Sequence, residues 1–302
     1  MKNLIKVTLV FVGLLLATEL SAELNVVATL PDLADIAKQI GGDKTEVTTL
    51  AKPTEDSHFV DARPSFVLKL NQADVLIEGG ADLEAGWLPP LCEGCRNPKI
   101  QTGAPGRVIA SQGIRLVGIP DTLSRAHGDV HAKGNPHFLV DPLRAEIAAK
   151  HIAAVFSELD PKFAPVYQAN LKKFDDTIGR KMQAWSKQLA PFRGQTVAAY
   201  HDSWTYFGNR FGLKIDLFLE PKPGIPPSAA HLAKVIEKMK AGHIKAILVE
   251  PYHDRRIAES VASRTGATVV DFAQYPGALP HTENYFDLID RLVSDLAKAL
   301  GK

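Results

Sequence analysis

Residues 161–187 read PKFAPVYQANLKKFDDTIGRKMQAWSK, a nearly unbroken run of helix-period sequence. Large apolar side chains recur along it at helical spacing, at Tyr167, Leu171, Phe174, Ile178, Met182 and Trp185. Proline is tolerated in the first turn of a helix but not in its interior, so Pro161 should begin this helix and the preceding one should end near Leu159. A helix of this length spans about 40 Å, which is long enough to cross a pair of domains.

On both sides of this helix, short β-branched runs alternate with amphipathic stretches such as Leu33–Ile40 and Pro64–Asn71. The predicted strands are Leu24–Ala28, Glu46–Leu50, Val75–Glu78 and Ile114–Val117 before the helix, and Gln195–Tyr200, Leu213–Phe218, Ala246–Val249 and Ala267–Phe272 after it. This alternation indicates parallel sheets that helices cover on both faces. The sequence therefore predicts an α/β fold of two lobes, each with a mainly parallel sheet flanked by helices, bridged by one long rigid helix. A ligand is expected in the cleft between the lobes, at the carboxyl ends of the strands.

The first 22 residues have the composition of a secretory signal. Lysines in Met1–Lys6 precede an apolar run at Val7–Ala17, and cleavage is expected after Ala22. The apolar run is well short of the roughly 20 residues that span a bilayer, and no cysteine follows it that could carry a lipid anchor. We expect a free periplasmic protein with a signal peptide at 1–22, an N-terminal lobe at 23–141, linking helices at 142–190 and a C-terminal lobe at 191–302.

Charge and cysteine content narrow the class of protein. A net charge of +1 over 302 residues gives no long-range attraction to nucleic acid, so we expect no nucleic-acid partner. We also expect a monomer.

The two cysteines, Cys92 and Cys95, are expected to form a local disulfide in an oxidising compartment. A redox pair would need to lie at a helix N-terminus, whereas these follow a Pro-Pro-Leu stretch that is typical of a loop. A four-cysteine zinc site would need a second pair.

Three histidines follow predicted strands or close loops between elements. His58 ends the phrase Glu-Asp-Ser-His after the strand that ends at Leu50, His137 closes a loop rich in Gly, Asp and His, and His201 directly follows the strand Gln195–Tyr200. Such positions face a cleft, whereas a core histidine is normally embedded in periodic apolar sequence. Imidazole is the commonest protein ligand for zinc and related ions. The sequence therefore predicts that these histidines bind one metal ion.

The order of several local phrases resembles that in one family of transport proteins. The phrases are Leu30-Pro31-Asp32-Leu33, Glu55-Asp56-Ser57-His58, Arg63-Pro64-Ser65, Asn135-Pro136-His137, Tyr200-His201-Asp202, Tyr206-Phe207, Glu220-Pro221, Pro227-Ser228 and Glu250-Pro251. In this order they resemble the zinc/manganese class of ABC-transporter solute-binding proteins, the ZnuA/TroA type of cluster A-I. The resemblance implies two lobes bridged by a rigid helix, one divalent ion held between them and an inner-membrane permease as partner.

Within that family, the resemblance places His58 and His137 on the N-terminal lobe and His201 on the C-terminal lobe. Manganese-selective relatives tend to carry a carboxylate at the third position, where this sequence has His201. Three imidazoles also suit zinc better than manganese, which prefers hard oxygen donors, although copper would bind such nitrogens more tightly on affinity alone. Zn(II) is the expected cargo, and manganese or another divalent metal is the alternative.

The resemblance leaves the fourth ligand open. Many relatives supply an aspartate after the last strand of the C-terminal lobe, but the matching stretch Asp271–Pro276 places Ala273 at that point. Asp271, another carboxylate or water could take the position. Nearby, His127 and His131 lie in a segment that resembles a short version of a metal-collecting loop of zinc-type relatives. The alternative for that segment is a solvated polar turn.

Two other classes of function compete with a metal receptor. A zinc-dependent hydrolase also has three histidines and an open fourth position. The chain has no His-Glu-x-x-His phrase and no Ser or Cys nucleophile motif, so no enzymatic activity is expected. A binder of an organic ligand would need aromatic or Arg-rich cleft walls. The only hint is Trp204 and Tyr206, which are expected instead to form the buried face of the next helix.

Overall fold

Two four-stranded parallel sheets form the centres of the two lobes. The computed structural model describes residues 23–120 and 131–301, so the predicted signal peptide and His127 lie outside the described residues. The strands are β1 (Leu24–Ala28), β2 (Thr45–Thr49), β3 (Val75–Glu78) and β4 (Arg107–Ile109), then β5 (Thr196–Ala199), β6 (Lys214–Phe218), β7 (Ala246–Val249) and β8 (Thr268–Asp271). The strand orders are β2-β1-β3-β4 and β6-β5-β7-β8, and all pairs are parallel.

Helices connect the strands within each lobe and join the lobes. They are α1 (Pro31–Gly41), α2 (Pro64–Gln72), α3 (Leu88–Gly94), α4 (Pro142–Leu159), α5 (Ala164–Leu189), α6 (Thr205–Phe211), α7 (Ala229–Ala241), α8 (Arg255–Thr265) and α9 (Tyr285–Leu300). In the first sheet the chain goes from β1 to its neighbour β2 at one edge and then crosses to β3 on the other side of β1. The second sheet repeats this path with β5, β6 and β7. The carboxyl ends of β1 and β5 therefore lie at topological switch points, where α/β sheets bind ligands.

The long helix predicted at 161–187 is present and contacts both lobes. Its first turn, Pro161–Phe163, is a 3-10 helix, and the α-helix α5 follows for 26 residues, about 39 Å. Near its start, Asn170 donates a hydrogen bond to the carbonyl of Ile40 in α1 at 2.9 Å. Near its end, the indole of Trp185 donates to Asp290 of α9 at 2.7 Å. The predicted two-lobed α/β fold with one linking helix is confirmed.

The buried apolar side chains form one core that continues through both lobes. It includes β1 and β3 of the first sheet, the inward face of α5 and the apolar face of α9. A second cluster fills the opposite face of the second sheet, beneath α7 and α8. Among the described residues, no helix combines the length and apolar character that crossing a bilayer requires.

The fourth strand of the first sheet differs from the prediction. Ile114–Val117 is not a strand, and β4 is the short segment Arg107–Ile109, whose partner is β3. β4 begins with a charged residue that pairs with Glu78 on the neighbouring strand, at 2.9 Å between Arg107 Nη2 and Glu78 Oε2. A strand of three residues is too short to show the alternation of apolar and polar side chains by which strands are recognised in sequence.

Cys92 and Cys95 are free thiols, which corrects the predicted disulfide. They lie at the C-terminal end of α3 rather than in a loop, because the prolines that precede them occupy the first turn of that helix. The helical backbone directs the two sulfur atoms to different partners. Cys95 Sγ donates to the carbonyl of Cys92 at 3.3 Å, whereas Cys92 Sγ accepts from Arg107 Nη1 at 3.3 Å.

Candidate metal centre

The fold brings His58, His137 and His201 together from positions that span nearly half the sequence. One ring nitrogen from each lies within 4.8 Å of the other two. The ring centroids are 5.1 to 5.5 Å apart, and the rings meet nearly edge to face. A triangle of this size has its centre no more than about 2.8 Å from each nitrogen, against a Zn–N bond of about 2.0–2.1 Å. The arrangement can therefore enclose one metal ion after a small inward movement.

His58 is oriented by Asp56, two residues before it. Asp56 Oδ1 accepts hydrogen bonds from the main-chain N–H of His58 at 2.9 Å and from its Nδ1 at 2.7 Å. Burial would raise the pKa of the Asp56 carboxyl, but these hydrogen bonds and the charge of His58 outweigh it and lower the pKa. The indole of Trp87 donates to the carbonyl of Ser57 at 2.8 Å and fixes the loop. With Nδ1 donating to a carboxylate, Nε2 is the free ligand atom of His58.

His137 is the most deeply buried of the three, with 5 % of its surface exposed. Its main-chain N–H donates to Asn135 Oδ1 at 2.9 Å, and the Asn135 amide donates to the carbonyl of Asp202 at 2.7 Å. The ring also hydrogen-bonds Gln274. Burial, with smaller contributions from neighbouring histidines, holds the pKa of His137 well below its ordinary value. The imidazole is therefore neutral at physiological pH, as a metal ligand must be.

His201 follows β5 directly and is paired with a carboxylate on the neighbouring strand. Its Nδ1 lies 2.8 Å from Glu220 Oε2, where the chain leaves β6. Burial lowers the pKa of His201, but the hydrogen bond to Glu220 and the charges of Glu250 and Glu220 outweigh it, so the pKa is raised. This carboxylate–histidine pair fixes the tautomer and leaves Nε2 for a metal.

The two orienting carboxylates, Asp56 and Glu220, have roles that the sequence reasoning missed. The sequence did signal them, because Asp56 belongs to the same phrase as His58 and Glu220 closely follows a predicted strand. Their contacts were not predictable, since the pairing of Glu220 with His201 depends on β5 and β6 being neighbours. Both carboxylates act on the histidine rings rather than as members of the nitrogen cluster.

Asp271 does not reach the site, which removes one of the expected candidates for the fourth ligand. Its carboxylate is 56 % exposed and forms an ion pair with Arg255 at the start of α8. It is the last residue of β8, and alternation along a strand directs it away from the buried neighbours Val270 and Phe272.

A fourth histidine, His131, lies against the cluster instead. Its Nε2 is 3.1 Å from Nε2 of His58, and the two ring centroids are 5.2 Å apart. Burial, followed by the charge of His58, lowers the pKa of His131 to about 4. Together with His137 and His201, its ring lines a cavity of about 90 Å³.

A buried carboxylate and a further histidine lie behind His201. Glu250, at the end of β7, is fully buried and accepts from the indole of Trp204 at 2.8 Å. Burial raises its pKa to about 7. His253 stacks on Tyr200 with ring centroids 4.0 Å apart, and its ring is 6.2 Å from that of His201. The sequence did not predict this packing of His253 beside the site.

The first residues of α6 join the lobes beside the histidines. The hydroxyl of Tyr206 donates to the carbonyl of Asn135 at 2.7 Å and accepts from the main-chain N–H of Val117 at 3.0 Å. Arg210 makes a paired contact with the buried carboxylate of Asp141, at 2.6 and 2.9 Å. Trp204 and Tyr206 are fully buried, as expected for interior side chains, and do not form walls for an organic ligand.

Comparison with known proteins agrees with this architecture. The chain is 23% identical over 291 residues to the manganese ABC transporter substrate-binding lipoprotein PsaA of Streptococcus mitis, covering 93% of this chain and 90% of that protein. It is 25% identical over 294 residues to the iron-binding protein YfeA of Yersinia pestis, covering 94% and 89%. A crystal structure of ZnuA superposes with a TM-score of 0.78 at 22% identity, over 92% of this chain and 99% of that chain. Residues 26–299 match the family described as ZnuA, zinc-uptake complex component A, periplasmic. The chain therefore belongs to the ZnuA family of metal ABC transporter substrate-binding proteins.

Proposed function

We propose that this protein captures Zn(II) in the periplasm with His58, His137 and His201 as ligands and delivers it to an inner-membrane ABC permease. The observation that carries the proposal is the convergence of one nitrogen from each of these three rings. The proposal includes the boundaries predicted for the lobes, 23–141 and 191–302, with linking helices at 142–190. It also includes export by a signal peptide without a lipid anchor, and action as a monomer.

The donor set supports zinc over manganese. Family members differ in cargo, since relatives are named for manganese and for iron. Here the converging atoms are imidazole nitrogens, and the carboxylates of Asp56 and Glu220 are hydrogen-bonded to the rings. Manganese prefers carboxylate and water oxygens, whereas zinc is bound well by imidazole.

A hydrolase is less well supported than a receptor. A catalytic zinc site needs a carboxylate or comparable base beside the metal-bound water. Asp56 and Glu220 each accept a hydrogen bond from a histidine ring, and Glu250 is fully buried and accepts from the indole of Trp204 through one oxygen. Assays of the zinc-loaded protein with ester, peptide and lactam substrates should show no turnover above that of free zinc. Turnover abolished by His201→Ala would support the hydrolase instead.

Competition titration against a zinc chelator tests the proposed ligands. The mature protein should bind one zinc ion, and His58→Ala, His137→Ala and His201→Ala should each weaken binding by about 100-fold or more, since each removes a metal–nitrogen bond. His231 on α7 hydrogen-bonds the carbonyl of Phe218 and is the matched control, so His231→Ala should bind as the wild type does. Unchanged affinity in any of the first three variants would contradict the assignment.

A further inference from the structure

We propose that His131 supplies the fourth nitrogen to the metal, which makes the site a closed set of four imidazoles. The inference rests on the proposed function, since it names an additional ligand in the same site. It starts from the position of Nε2 of His131, 3.1 Å from Nε2 of His58. Asp271, the candidate expected from the sequence, forms an ion pair with Arg255.

The geometry of this contact is that of two ligands on one ion. Adjacent ligands in a tetrahedral zinc site with bonds of about 2.0–2.1 Å lie about 3.3–3.4 Å apart. The observed separation of 3.1 Å is within a few tenths of an ångström of that edge. His58 donates from Nδ1 to Asp56, so its Nε2 presents a lone pair toward His131. The neutral ring of His131 donates its one N–H to the main chain of Asp82, so its Nε2 also presents a lone pair, and a divalent cation can be bound by both nitrogens.

His131 is held in place by contacts to the turn that follows β3. Its ring hydrogen-bonds the main chain of Asp82, and the ammonium of Lys133 lies 3.5 Å from the Asp82 carboxylate. The main-chain N–H of Gly134 donates to the carbonyl of His131 at 3.1 Å and closes a turn between these residues. These contacts dock the segment that carries His131 onto the N-terminal lobe.

The turn after β3 that contacts His131 is stabilised by its own hydrogen bonds. Gly80, Ala81 and Asp82 all have positive φ, at 75°, 54° and 66°. The buried carboxylate of Glu84 accepts from the main-chain N–H groups of Gly79 at 2.6 Å and Gly80 at 3.0 Å. A left-handed backbone at two consecutive non-glycine residues is unfavourable and persists only where surrounding contacts enforce it. The turn therefore forms a fixed support for His131.

Three of the nearby carboxylates already accept hydrogen bonds from other groups. Asp56 and Glu220 accept from ligand rings, and Asp202 accepts from the hydroxyl of Thr205 at 2.5 Å. His131 instead presents a nitrogen to the cluster. Four neutral nitrogens would complete a tetrahedral zinc shell without water and disfavour manganese, which prefers oxygen ligands and a higher coordination number.

Cobalt(II) substitution in the mature protein tests this coordination directly. The wild type should give the intense visible absorption of four-coordinate cobalt. His131→Ala should give visible bands that differ in position and intensity, because a water oxygen replaces a nitrogen in the ligand set. Zinc affinity, measured by chelator competition, should fall by about 10- to 100-fold. Lys133→Ala, which removes only the ion pair to Asp82, should shift affinity in the same direction by a smaller factor, and His231→Ala should change neither measurement.

The outcomes separate this inference from the proposed function. If His131→Ala leaves the cobalt spectrum unchanged and zinc affinity within about twofold of the wild type, His131 is not a ligand. If His58→Ala abolishes binding in the same series, the three-histidine site stands without it. If His58→Ala also leaves binding unchanged, the proposed function fails as well. X-ray absorption at the zinc edge should count four imidazoles in the wild type and three in His131→Ala, and equal counts would overturn the inference.

Discussion

The contact between His201 and Glu220 contributes to how the candidate site responds to pH, beside the charge of Glu250. Glu220 accepts from Nδ1 of His201 at 2.8 Å, which leaves Nε2 for a ligand but also raises the pKa of the ring. His137 has the opposite perturbation, because burial keeps it neutral. A proton therefore competes with the metal first at His201, at pH values above the ordinary histidine value of 6.5.

The variant Glu220→Gln tests this competition. Wild-type zinc affinity should rise with pH through the raised pKa of His201, with about one proton released per ion, and level off above it. Glutamine removes the charge that stabilises protonated His201, so the rise should move to lower pH. The plateau affinity should drop by about 10- to 100-fold, because the ring loses its orienting carboxylate.

Glu237→Gln, on the exposed surface of α7, is the control for loss of one negative charge and should leave the profile unchanged. A Glu220→Gln profile with the wild-type midpoint would show that this pair does not set the pH response.

At the scale of elements, helix α6 connects the C-terminal lobe to the segment that carries His137. The Tyr206 hydroxyl makes two hydrogen bonds across this boundary, to Asn135 and from Val117. Tyr206→Phe should lower the free energy of unfolding by about 1–3 kcal/mol, because it leaves partly buried main-chain groups without their partner. It should also weaken zinc binding, since Asn135 positions His137.

Urea unfolding and chelator competition on the same samples measure both effects. Tyr167→Phe is the matched control, because its hydroxyl bonds Asp160 at 3.1 Å within the linking helices. It should lose stability without losing zinc affinity. Equal zinc affinity in Tyr206→Phe and the wild type would show that this contact does not position the site.

The elements also show where sequence reasoning succeeds. Strands β1, β3 and β7 have the predicted limits, because each is a short run of mainly β-branched or apolar residues. The segment Ile114–Val117 has the same composition but is not a strand, since strand formation depends on a neighbour that local sequence does not specify.

In the candidate site too, some features could be predicted from local sequence and others could not. The three predicted histidines were recognisable because each stands in a loop or at a strand end, and the structure brings them together. The partners of His58 and His201 and the approach of His131 depend on which loops and strands meet in three dimensions. The periodic pattern of apolar residues predicts burial and secondary structure, but it does not predict which loops and strands are in contact.

At the scale of the whole molecule, two lobes of the same strand order are joined by a helix that packs on both. Their shared core and the contacts of α5 to α1 and α9 favour small movements between lobes over wide opening. A metal held by residues of both lobes binds the folded chain and not the unfolded one, so it should stabilise the fold. Free zinc at 100 times its dissociation constant should add about 2.7 kcal/mol to the free energy of unfolding.

Thermal unfolding with and without zinc checks this linkage. The wild type should show a higher Tm with zinc and return to its original Tm after chelation, whereas His201→Ala should show no shift. A zinc-dependent shift of the same size in His201→Ala would mean that the ion stabilises the protein from another site.

The central claim, that one zinc ion is bound by histidines from both lobes, is tested most directly by anomalous diffraction at the zinc edge from crystals of the zinc-loaded protein. The structure predicts a single strong peak within bonding distance of His58, His137 and His201. A peak elsewhere, or one whose ligands exclude His201, would contradict it.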